Sequence, residues 1–141
     1  MISTYYTGTN GVSTIPDILE IIIPENAGLQ DYRYLLSLAE NEITKLTPLI
    51  SRYKVARTNA KSAYDDALSS AKVMAMEQYG LKPNHQTMIN AKANSDTEVR
   101  RLKQVYLEAK ALEIKAVDRL EQIRGLRDTL KACVKSEHSS Y

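Results

Sequence analysis

Three cations recur at helical spacing with tyrosines set among them: Tyr53, Lys54, Arg57, Lys61 and Tyr64. Steps of three and four residues put Lys54, Arg57 and Lys61 on one side of a helix. Lys and Arg hold phosphates, and aromatic rings stack on unpaired bases, so this pattern offers single-stranded nucleic-acid binding. We take Lys54, Arg57, Lys61 and Tyr64 as the candidate nucleic-acid contacts. A plainer reading stays open, in which Tyr53 belongs to a buried seam and the three cations are solvated surface. A second basic row, Arg100, Lys103 and Lys110, is less specific.

Catalysis has a poorer inventory. His85 and His138 are the only imidazoles, and no His, Cys and Asp spacing resembles a zinc site. Asp65 and Asp66 are adjacent, so on a helix they project from different sides and cannot act as paired carboxylates. Thr7-Gly8-Thr9-Asn10-Gly11 lacks the Lys-Ser/Thr ending of a phosphate-binding loop and reads as a turn. The sequence therefore predicts a protein that is not an enzyme, with no metal and no cofactor.

These residues must be positioned by long helices. From Ser95 to about Glu137, the residues Leu102, Val105, Ala109, Leu112, Ala116, Leu120, Ile123, Leu126, Leu130 and Cys133 recur at threes and fours. That is the pattern of a coiled coil or a helical hairpin. At about 1.5 Å per residue, some 40 residues make a rod near 60 Å long, whose apolar edge needs partner helices along its length. We assign Leu102, Tyr106, Leu112, Leu120, Ile123 and Leu130 to this partner or oligomer seam. Ser95-Asp96-Thr97-Glu98 has the form of a capping box that starts the helix. Arg124, Arg127, Lys131 and Lys135 place positive charge toward its carbonyl end.

Upstream, one helix is expected over about 29–46, with Leu35, Leu36, Ala39, Ile43 and Leu46 on one side. Thr47-Pro48 then kinks or restarts the chain, and a second helix runs over 48–79 on a seam rich in Ala. Gly80 suits a left-handed helix end, and about 81–94 is a polar connector with one loose turn near Thr87 to Ala91. Residues 1–28 form an N-terminal arm, with a short helix over Ile15–Ile23 stopped by Pro24, or a short strand in its place. The expected fold is all-α: a long antiparallel, coiled-coil-like hairpin over 29–141 with an additional N-terminal helix and arm. A bare two-helix pair has little core, so a homo-oligomer is expected.

Composition agrees with thin helix–helix seams. There are nine Tyr but no Trp or Phe, leaving Leu, Ile, Val and Ala to fill the interior. The net charge of +2 is unevenly placed: two basic and six acidic residues in 1–50, seventeen and eleven in 51–141. A basic helical region beside an acidic first third points to a polyanionic partner. Cys133 alone cannot make an internal disulfide and reads as a packed thiol. No apolar run reaches the roughly 18 residues of a membrane span, and no signal peptide is evident, so a cytoplasmic location is expected.

The final helix, starting at Asp96 after Ala93-Asn94-Ser95, with Tyr106 on its seam and Arg124-Gly125-Leu126 late in it, resembles the UvsY-type recombination mediators of tailed phages. Tyr53-Lys54-Val55-Ala56-Arg57 leading to Tyr64 resembles the basic helix that such proteins carry before their connector. The resemblance covers about residues 50–132. It implies an oligomeric helical protein that binds single-stranded DNA and helps load a RecA-like recombinase in place of a single-strand-binding protein, in host cytoplasm if viral. It also implies a close-packing role for Gly125, since glycine inside a helix otherwise costs about 1 kcal/mol against alanine. Two other readings stand beside it. One is a helical interaction module, such as a phage inhibitor of a host system, docking through the Ile15–Ile23 arm. The other is a structural coiled coil of a virion or scaffold.

Overall fold

The computed structural model describes residues 21–139 and consists of three helices: α1 (Leu29–Tyr79), α2 (Gln86–Asn94) and α3 (Thr97–Ser139). α1 and α3 lie side by side as an antiparallel hairpin. Arg57 meets Glu113 and Tyr64 meets Tyr106, so a step of seven forward in α1 matches seven backward in α3. Among the described residues there is no strand, and no helix is long and apolar enough to cross a membrane.

Each helix end has a local cause. At the start of α1, the Gly28 backbone N–H donates to Asp31 Oδ2 at 2.9 Å. Its other end is set by Gly80 at φ +62°, a conformation that costs glycine little, and Leu81 N–H reaches back to the Met76 carbonyl at 3.0 Å. α3 begins one residue later than a Ser95 cap would place it. Asp96 Oδ1 accepts from the Val99 N–H at 3.1 Å, while the Ser95 hydroxyl closes α2 by donating to the Lys92 carbonyl at 2.7 Å. Glu98, expected to complete the capping box, instead accepts from Arg101 Nε and Nη2 at 3.0 and 2.6 Å.

Two expectations about the helices need correction. The segments expected over 29–46 and 48–79 are one 51-residue helix, with Pro48 exposed inside it. Pro48 removes one backbone donor, but Leu46 and Tyr53 are buried on either side of it, so packing holds α1 through the lesion. The connector, expected to hold a loose turn, contains the nine-residue α2, whose Ile89 and Ala93 are buried. α2 packs mainly on α1.

The unbroken α1 runs alongside α3, and this changes what covers the seam. Leu112, Ile123 and Leu130 are 1%, 2% and 0% exposed within a single chain. At the open end, Leu35, Ala39 and Leu46 of α1 interlock with Leu120, Ile123 and Leu130 of α3. Further along, Tyr53 packs with Leu112 and Ala116. Burying a leucine fully gains about 1.5–3 kcal/mol, so this row supplies the main cohesion of the hairpin. The stripe expected to need neighbouring copies is covered by the chain's own first helix.

The expected helix over Ile15–Ile23 lies largely outside the described residues. Its last three, Ile21 to Ile23, are not helical. Ile21 and Ile23 pack against the open-end cluster while Ile22 is 63% exposed, the alternation of an extended chain.

Candidate nucleic-acid interface

A groove opens on one side of the hairpin where Arg57 and Lys61 of α1 face Tyr106, Lys110, Glu113 and Ile114 of α3. Each helix contributes residues from the flank of its seam, which is why cations and rings from both meet there. Tyr64 and Tyr106 lie nearly parallel, centroids 6.3 Å apart with 11° between planes, and both are half-buried. One side of each ring packs while part of it stays in water, as amphipathic tyrosines do.

The cations differ in availability. Arg57 is half-buried and pairs through Nε with Glu113 Oε2, an ion pair that bridges α1 and α3. Lys61 is exposed, with Asp65 at a loose 3.9 Å. Lys54 and Lys110 are exposed, and neither makes an ion pair with a described residue. Surface pairs such as Lys61–Asp65 contribute at most about 1 kcal/mol, so a phosphate competes readily for that lysine. Arg57 is more firmly held.

Of the four residues chosen from sequence, Arg57 and Lys61 line the groove, Tyr64 borders it by stacking on Tyr106, and Lys54 stands exposed one turn before Arg57. Tyr53 is 1% exposed and is not available for stacking; burial raises its phenol above the usual tyrosine range. Tyr106, assigned to the seam, sits at the seam's edge against Tyr64. Lys110, from the less specific second row, shares the groove with Lys61, whereas Arg100 and Lys103 lie beyond it on the outside of α3. Tyr106 and Lys110 could have been placed here by pairing the two helices antiparallel, since Arg57 and Glu113 offer opposite charge seven residues inward of Tyr64 and Tyr106. Of the remaining seam assignments, Leu112, Leu120, Ile123 and Leu130 are buried and Leu102 is half-buried, all on one chain.

His85 has a conformational task. Its Nδ1 accepts from the Lys82 N–H at 3.1 Å, and its own N–H donates to the Lys82 carbonyl at 2.9 Å, which shapes the turn into α2. Among the described residues, no three His, Cys, Asp or Glu side chains gather as a metal-binding group. Gly125 has no close neighbour: a Cβ built there meets nothing within 4 Å, so the expected close-packing role is absent within the chain. No family model matches this chain, and the comparisons with curated proteins and solved structures found no match.

Proposed function

We propose that this protein binds single-stranded nucleic acid without catalysing a reaction, and that it serves recombination by helping to load a RecA-like recombinase in the cytoplasm. The observation that carries the reading is the Tyr64–Tyr106 pair beside Lys61 and Lys110, a ring platform and two cations supplied by different helices. Phosphates would run past Lys54, Lys61 and Lys110, and an unpaired base would stack on the wet part of a tyrosine ring. The recombination role rests on the UvsY-like spacing of the basic helix and of the last helix.

A salt titration of binding to a labelled single-stranded oligonucleotide tests the proposal. Affinity should fall steeply with salt, with a log–log slope of about −0.7 for each phosphate neutralised. The triple variant Lys54→Ala, Arg57→Ala, Lys61→Ala should remain helical, bind poorly and show a shallower slope. Tyr64→Ala should weaken binding with the slope unchanged, because stacking carries no counterion release. An absence of binding at low salt would retire the reading.

A further inference from the structure

The exposed face of α3, from the rim of the groove outward, carries a charge pattern that is its own complement. Reading outward from the bond between Lys110 and Ala111, Leu107 and Ile114 are three residues away, Lys103 and Asp118 seven, and Arg100 and Glu121 ten. Their spacings of three and four set them along one stripe, with cations toward the start, aliphatics in the middle and acids toward the end. All six are exposed; Leu107 and Ile114 are 44% and 50% accessible. None of the four charged side chains makes an ion pair with another described residue. Leu107 and Ile114 are large aliphatics at heptad spacing that stay exposed within one chain, Ile114 at the rim of the groove.

We propose that this stripe is the contact surface for a second copy of the chain, with the two α3 helices antiparallel about a twofold axis at residues 110–111. Such an interface is isologous, the same patch on both partners. The antiparallel twofold sets Leu107 against the partner copy's Ile114, Lys103 against its Asp118 and Arg100 against its Glu121, each contact occurring twice. A parallel pairing would instead set Arg100 on Arg100 and Glu121 on Glu121, so charge selects the antiparallel arrangement. Ala111 at the axis is small and allows close approach, and the stem of Lys110 can lie along the apolar centre with its amine in water. Lys110, Ile114 and Asp118 also border the groove, so the two contacts share that edge of α3, whereas Arg100, Leu107 and Glu121 lie outside it and report on the contact between copies alone.

Sedimentation equilibrium of the full chain, carried to high protein concentration, tests it. The expected result is a reversible monomer–dimer equilibrium. Leu107→Asp should abolish it, with the helical circular dichroism unchanged because that side chain is exposed. Arg100→Glu alone, or Glu121→Arg alone, turns two attractive pairs repulsive and should weaken dimerisation about tenfold. The double swap Arg100→Glu, Glu121→Arg should restore it. Those positions are 21 residues apart on one helix, about 32 Å, so restoration can only act between chains. A monomer at every concentration, a dimer that survives Leu107→Asp, or a double swap no better than the single changes would each overturn the proposal.

Discussion

Replacing Gly125 with alanine should stabilise the hairpin by about 1 kcal/mol, the helix-interior difference between the two residues. The structure supplies the conditions for that full value. Gly125 lies inside α3 on its exposed side, its φ is not positive, and an added Cβ meets nothing within 4 Å. Its carbonyl already accepts from the Thr129 hydroxyl at 3.1 Å, a bond the methyl leaves untouched. For a chain of this length the gain should raise the melting temperature by roughly 2–4 °C. Urea unfolding followed by far-ultraviolet circular dichroism would read it as a higher midpoint at constant slope. The matched control is Gly80→Ala, where φ is +62° and the same methyl should cost about 1–2 kcal/mol. If Gly125→Ala destabilised the protein, Gly125 would have to lie against another chain, and the reasoning from open space would fail.

Four other outcomes follow from the same geometry. Asp96→Ala removes the acceptor for Val99 N–H and should cost about 1 kcal/mol in urea unfolding, with Ser95→Ala costing less because Ser95 closes the shorter α2. Pro48→Ala should stabilise α1 by as much as ~3 kcal/mol, since the proline is exposed and interrupts a continuous helix; a loss would mean that the local distortion is itself needed for packing. Tyr53 has a raised phenol pKa, so the folded state keeps a proton that the unfolded chain releases above its ordinary value of 10.0. Stability should therefore be intact below that pH and fall as pH rises past it, and Tyr53→Phe should remove part of the fall, leaving the share of Tyr32, whose phenol is also raised. Glu42, only 7% exposed and paired at 3.4 Å with a Lys45 that stays largely in water, should give a more stable protein as Glu42→Leu, by about 1 kcal/mol or more; a less stable variant would show that its carboxylate is well satisfied where it lies.

The hairpin was legible because its signals are periodic and local. The Leu102-to-Leu130 row and the Gly80 end each follow from a few neighbouring residues, and α1 and α3 appear where those residues put them. What could not be read was decided by contacts distant in sequence. Pro48 is a strong local break signal, overridden because Leu46 and Tyr53 are both pinned by α3. Tyr53 and Tyr64 look equivalent on one helix, yet one faces Leu112 and Ala116 in the core and the other faces Tyr106 at the edge. Leu112, Leu120, Ile123 and Leu130 are buried within one chain, but periodicity says only that a stripe is covered. It does not say whether the cover is the same chain or another.

Register is the step that joins this fold to its groove. Sliding α3 against α1 by one heptad would exchange Ile123 for Leu130 and Ala109 for Ala116, but would bring Arg119 to the place of Leu112 and Arg127 to that of Leu120. The same slide would part Arg57 from Glu113 and Tyr64 from Tyr106, since each of these pairs occurs once. Both sit at the groove, so the residues that would hold a strand of nucleic acid are also among those that distinguish the native alignment from its neighbours. The seam and the polar and aromatic pairs along its edge thus select the same alignment, and with it one fixed spacing between Lys61 and Lys110.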